Sequence, residues 1–96
     1  MTRSEEGKKI IITVLGHDRV GIIAGISAIL ADAHINILDI NQTILQGFFT
    51  MVMVADIAAS NIEIAELREI LNRKGQDMEL QITVQHEDIF KFMHRI

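Results

Sequence analysis

The sequence predicts an α+β domain in which two helices cover one face of a four-stranded antiparallel sheet. Three observations lead there. Across 96 residues the apolar pattern switches between a period of two and a helical period in the order βαββαβ. The first and third strands are apolar on both faces, whereas the second and fourth are not. A turn bracketed by Gly16 and Gly21 joins the first strand directly to an apolar helix.

Residues 1–8 are expected to form a flexible N-terminal tail, polar and charged from Met1 to Gly7, and residues 9–96 a single domain. Strand one runs from Lys9 to Leu15, with Ile10, Ile12 and Val14 on one face and Ile11, Thr13 and Leu15 on the other. Ile22, Ile23, Ile26, Ile29, Leu30 and Ala33 then recur at helical spacing and make helix one. Strand two, Asn36 to Ile44, carries Asp39, Asn41 and Gln42 scattered over both faces, which suits a sheet edge. Leu45-Gln46-Gly47 turns the chain into strand three, Phe48 to Asp56. Ser60-Asn61-Ile62-Glu63 reads as a capping box opening helix two. Its buried stripe is Ile64, Leu67, Ile70 and Leu71, and Gly75 is its expected C-terminal cap. Strand four, Glu79 to Gln85, turns Leu80, Ile82 and Val84 inward and polar residues outward, a second edge. Ile89, Phe92, Met93 and Ile96 mark a short amphipathic C-terminal helix. Double-faced strands belong in the middle, so the spatial order is 4-1-3-2, the ferredoxin-like arrangement. The sheet face away from the helices then needs cover, from the C-terminal helix or from a second subunit.

Composition narrows the function. Hydrophobic residues make up 49% of the chain and aromatics only 4%. An aliphatic-rich small domain without disulfides points to an oligomer, and with the sheet face that needs cover the expectation is a homodimer. A net charge of −4, with no basic run longer than two residues, argues against nucleic acid or an anionic membrane as partner. With no cysteine there is no thiolate nucleophile and no cysteine metal site. The polar start is not a secretory signal and no apolar run is long enough to span a bilayer, so the expected location is cytoplasmic.

Function is expected at the strand–turn–helix joint, Val14 to Ile26. A helix N-terminus there directs several backbone N–H groups into one small volume, which suits an anionic group such as a carboxylate. Asp18 reads first as the cap of helix one and second as a contact for a ligand ammonium. Asn36 either offers its amide to a ligand or forms an Asx turn into strand two. The histidines, His17, His34, His86 and His94, lack the close helical spacing of a zinc site, so no metal and no cofactor is expected.

Gly16-His17-Asp18-Arg19-Val20-Gly21-Ile22 after strand one, with Asn36-Ile37 opening strand two, resembles an ACT domain. Asp39-Ile40-Asn41-Gln42-Thr43, with Phe48-Phe49-Thr50-Met51 after the hairpin, resembles the small stand-alone ACT proteins. The resemblance covers nearly everything after the tail. It implies an allosteric, amino-acid-binding regulatory module that pairs with a second copy and acts on a regulated enzyme or regulator. It also implies a ligand held between the first turn of one subunit and a strand of its neighbour. Gly16, His17, Asp18, Arg19, Val20 and Gly21 would line that turn. The N–H groups from Val20 to Ile22 would hold the α-carboxylate. Asn36 and Asp39 would come from strand two.

Two alternatives stand beside this reading. One is a ligand-free protein-interaction module that uses the sheet face. The other is an acylphosphatase-like hydrolase, for which Arg19-Val20-Gly21 places an arginine near the helix start. The Gly-x-Val-Gln-Gly run of that family is absent, and no acid pair or Ser/His/Asp set appears, so the chain is not expected to be an enzyme. Phe48 and Phe49 echo the stacking aromatics of an RNA-recognition sheet only in part, and core or dimer packing is the preferred reading.

Overall fold

The computed structural model describes residues 8–87. The elements are β1 (Lys9–His17), α1 (Ile22–Asp32), β2 (Asn36–Leu45), β3 (Phe48–Asp56), α2 (Ile64–Met78) and β4 (Leu80–His86). All pairings are antiparallel and the sheet order is β2-β3-β1-β4, the predicted 4-1-3-2 read from the other edge. The expected C-terminal helix, Ile89 to Ile96, and residues 1–7 of the expected tail lie outside the described residues. Lys8, placed in that tail, is already held: its carbonyl accepts the N–H of Ile57 at 2.8 Å.

The core lies between the sheet and the two helices. Ile10, Ile12 and Val14 of β1, Met51 and Met53 of β3, and Ile26, Leu30, Leu67 and Leu71 of the helices are completely or almost completely buried. Burying an aliphatic side chain of this size stabilises by about 1.5–3 kcal/mol, so this inner layer is the main source of fold stability. On the opposite face, the rows across the sheet run Gln85–Ile11–Val54–Asp39, then Thr83–Thr13–Val52–Asn41, then Gln81–Leu15–Thr50–Thr43. Exposed apolar side chains concentrate instead on β2 and at the hairpin end: Leu38, Ile40, Ile44, Leu45, Phe48 and Leu15. The helix layer leaves β2 bare, even on the side where Ile40, Gln42 and Ile44 face the same way as the core residues Met53, Met51 and Phe49.

Four local expectations are corrected. β1 does not stop at Leu15 but runs on to His17, because Gly16 still pairs with Phe49 on one side and Leu80 on the other. The Ser60–Glu63 capping box does not form. The Ser60 hydroxyl bonds the backbone of Ile62 instead, and α2 starts one turn later with Glu63 as an N-cap that makes no side-chain bond. Gly75 does not end α2. The helix continues to Met78 and is capped by Glu79 in the left-handed conformation, φ 59°. Gly75 is there for close packing: a Cβ at that position would lie 2.7 Å from the Leu80 carbonyl oxygen. Strand four accordingly begins at Leu80, not Glu79, and extends to His86. The hairpin is a two-residue Gln46-Gly47 loop, both residues at positive φ, as a type I′ turn requires.

Gly75→Ala separates helix propensity from packing. Alanine in a helix interior gains about 1 kcal/mol over glycine, while forcing a methyl against a backbone carbonyl costs about 1–3 kcal/mol. The variant should unfold at lower urea than the parent. A higher midpoint would mean that α2 can lift from β4 at little cost.

Candidate functional site

The segment from Asp18 to Gly21 is short and tied down at both ends. The Asp18 N–H donates to the Gly47 carbonyl at 2.9 Å, which fastens the loop to the β2–β3 hairpin. Arg19 Nη1 donates to the Met78 carbonyl at 2.9 Å, which fastens it to the last residue of α2. Gly21, at φ 93°, is the N-cap of α1, and its carbonyl accepts the Gly25 N–H at 2.9 Å. Asp18 is therefore not the helix cap. Gly21, in the left-handed conformation, offers no side chain to cap α1. The first N–H groups of a helix have no intrahelical partners, and among the described residues no side chain takes them.

The residues of this first turn line a cleft of about 270 Å³, with Asp18, Arg19, Gly21, Ile22, Ile23 and Ala24 on one side and Gln42, Ile44 and Phe49 on the other. A larger groove of about 700 Å³ runs over the β4 edge, between Leu15, His17 and Phe48 and the end of α2. The smaller cleft is the better candidate for an anion, because the first turn of α1, the positive end of its dipole, borders it.

The nine residues expected at the site divide. Asp18, Arg19, Gly21 and Ile22 line the cleft. Gly16 and His17 belong to β1 and border the larger groove, with the His17 ring edge-on to Phe48 at 5.5 Å between centroids. Val20 projects into solvent at 99% exposure. Asn36 and Asp39 are at the other end of the sheet. Asn36 pairs with Asp56, which pairs with Lys9, and Asp39 reaches Ile11 through Val54. At about 3.3 Å per residue, they lie roughly 26 Å and 20 Å from His17 along the strand direction. One chain alone does not bring them to the loop.

Gln42, Ile44, Ile23, Ala24 and Phe49 are the lining residues that sequence reasoning missed. The alternation of Ile40, Gln42 and Ile44 on β2 carries their common face, but only the register with Met51 and Phe49 shows that the face borders the loop. Consecutive Phe48 and Phe49 point to opposite faces, with Phe49 in the core, so they cannot form a stacking pair for RNA. Among the described residues no group of three or more His, Asp or Glu is placed to hold a metal ion. Nor is any described helix long and apolar enough to cross a membrane.

Comparison with known proteins bears on this arrangement. The ACT domain family model matches residues 8–85. A UPF0237 protein of Methanocaldococcus jannaschii is 48% identical over 88 residues, which cover 92% of this chain and 98% of the relative. A UPF0237 protein of Clostridium perfringens is 52% identical over 86 residues, covering 90% and 97%. Among solved structures, an ACT domain protein from Streptococcus pneumoniae is similar with a TM-score of 0.74 at 39% identity, over 85% of this chain and 92% of that one. A proposed glycine cleavage system transcriptional repressor is similar with a TM-score of 0.72 at 27% identity, over 81% of this chain and 44% of that one.

The Gly21 geometry makes a separate prediction. No atom lies within 4 Å of a Cβ placed there, so any effect of substitution is conformational and not a clash. A β-branched residue at positive φ costs about 1–3 kcal/mol, and Gly21→Val should lower the denaturation midpoint accordingly. An unchanged midpoint would show that the loop can abandon the left-handed turn without loss.

Proposed function

We propose that this chain, which belongs to the ACT domain family, is a non-enzymatic regulatory module of the cytoplasm that binds an α-amino acid or similar small carboxylate at the N-terminus of α1. ACT domains are typically regulatory ligand-binding modules, and at 27% identity the proposed glycine cleavage repressor is a relative named for regulation. The observation that carries the reading is the start of α1, with no side-chain cap on it, bordering a cleft of amino-acid scale. Backbone donors hold the carboxylate there. Asp18 on the cleft wall meets the ammonium and disfavours phosphates and dicarboxylates. The acylphosphatase-like alternative would need the Gly-x-Val-Gln-Gly run, which the sequence lacks.

The ligand is shared between two copies. β2 is an edge strand of ten residues with a single charge, Asp39, and no lysine, arginine or proline to deter pairing. Antiparallel pairing of two β2 edges brings the Asn36 end of each toward the hairpin end of the other. Asn36 and Asp39 then reach the loop of a neighbour, which they cannot reach in their own chain. The opposite edge is less open, because Arg68 Nε donates to the Val84 carbonyl at 3.0 Å and covers it. Binding acts by changing the geometry of the pair or its hold on a regulated protein.

Isothermal titration with free amino acids and their amides tests the site. Amidation of the carboxylate should abolish binding. Asp18→Ala should weaken it by about tenfold or more, the scale of a hydrogen bond to a charged group, and Arg19→Ala by less. Equal affinity for acid and amide would move the site away from α1. Sedimentation equilibrium tests the pairing: the parent should be a dimer in the micromolar range, and Ile40→Lys on the β2 flank should shift it to monomer. A parent that stays monomeric throughout would refute it.

A further inference from the structure

We infer that Arg19 is a strap linking the candidate ligand site to the end of α2, and that a carboxylate entering the cleft takes the guanidinium from Met78 and loosens that helix end. The inference rests on the proposed capture of a carboxylate at α1 and adds how occupancy is passed on. In this structure the Arg19 backbone belongs to the loop while Nη1 bonds Met78 O at 2.9 Å. It reaches the α2 side of α1, the side on which Gly25 faces Lys74 and the Met78 sulfur. Gln42 and Ile44 close the cleft on the β2 side. The bond to Met78 matters to α2, because the helix has no basic residue in its last turn and ends on a non-glycine left-handed residue, Glu79. Arg19 is therefore the cationic group that satisfies this helix end.

A neutral carbonyl is the weaker of the two acceptors on offer. Both bonds have an ionised donor, but a carboxylate carries a full negative charge and accepts two parallel N–H bonds from a guanidinium, where the Met78 carbonyl accepts one, so a carboxylate in the cleft competes with Met78 for the guanidinium. The gain in ligand affinity is only the difference between the two bonds, whereas the whole of the Met78 bond is lost to α2. The released turn, with Gln76 and Glu79, borders the 700 Å³ groove over β4, so the change appears on a second surface. Each site then biases one element that has two arrangements, which is the physical content of allosteric coupling.

Amide hydrogen exchange on the full chain tests this, with a mixture of the common free amino acids as probe and a mixture of their amides as control. In the ligand-free protein, Arg19→Ala should raise exchange from Gln76 to Leu80 by about two- to tenfold, the scale of one lost hydrogen bond. Arg73→Ala, which removes only the exposed pair with Glu69 on the same helix, should leave those amides unchanged, and Arg19→Lys should restore part of the protection. In the parent protein the free amino acids, and not the amides, should protect Ile22 to Ala24 and raise exchange from Gln76 to Leu80. Protection at α1 without release at α2 overturns the strap and leaves ligand capture standing. No response at either place refutes both. An Arg19→Ala variant with parental exchange at Gln76 to Leu80 overturns the strap whatever the ligand does.

Discussion

Leu80 is held between two glycines, and the geometry of the loop depends on that close approach. A Cβ on Gly16 would lie 2.7 Å from Leu80 Cδ2, and a Cβ on Gly75 would lie 2.7 Å from Leu80 O. The end of β1, the last turn of α2 and the start of β4 therefore meet closely, and a Cβ on Gly16 would also lie 3.1 Å from the Glu79 carbonyl oxygen. The link between α2 and β4 is the single residue Glu79, in a left-handed conformation that a non-glycine residue adopts only under constraint. This junction fixes where Met78 presents its carbonyl, and Arg19 reaches that carbonyl. The loop between β1 and α1 is thus braced on one side by the α2–β4 junction and on the other by Gly47 of the hairpin. A loop braced twice can keep a helix N-terminus uncapped and open, where a freer loop would fold one of its own side chains back onto it.

The two sheet edges contrast in a related way. Unpaired strand edges are liable to recruit other strands. β4 is flanked by α2, from which Arg68 bonds the Val84 carbonyl. Among the described residues β2 has no such cover, and the apolar side chains Leu38, Ile40 and Ile44 stand exposed along it. The register between β2 and β3 shifts between Ile37 and Asp39, so the irregularity falls at the Asn36 end of the edge. The stretch from Asp39 to Leu45 is left regular and suited to pairing. On the proposed reading, the edge that lacks protection is the one whose pairing completes the ligand site.

Much of the fold was legible because local and global signals agree. β1 and β3 are apolar on both faces and lie in the centre; β4 alternates cleanly and lies at an edge. Gln46-Gly47 has the chemistry of a tight hairpin and forms one. The failures occur where a residue type serves two purposes. Gly75 resembles a helix stop, but its lack of a side chain answers to Leu80 across space, and nothing in the local sequence distinguishes the two uses. Ser60 and Glu63 have capping-box spacing, yet the Ser60 hydroxyl is satisfied two residues on by Ile62. Asp18 resembles a cap because aspartate favours that role, and the left-handed Gly21 takes the position instead. At the candidate site, Asp18, Arg19, Gly21 and Ile22 could be named from the turn because they are contiguous. Gln42 and Ile44 could not, since their nearness to the loop is set by strand register across β3.

The role of Arg19 shows why composition alone misleads about a binding site. A lone arginine in a glycine-bracketed loop invites the reading that it clamps an anion. Its guanidinium is instead occupied by a carbonyl of a distant element, 59 residues away in sequence. An incoming anion must therefore either bind without it or displace it. Binding without it relies on the helix N-terminus, whose interaction with a single negative charge is modest at an exposed site. Displacing it returns a contact between two full charges but removes a bond from α2. On the proposed mechanism the site accepts this loss. Affinity for the ligand stays modest, and the part of the interaction that is exchanged instead of gained becomes the signal carried to the far side of the domain.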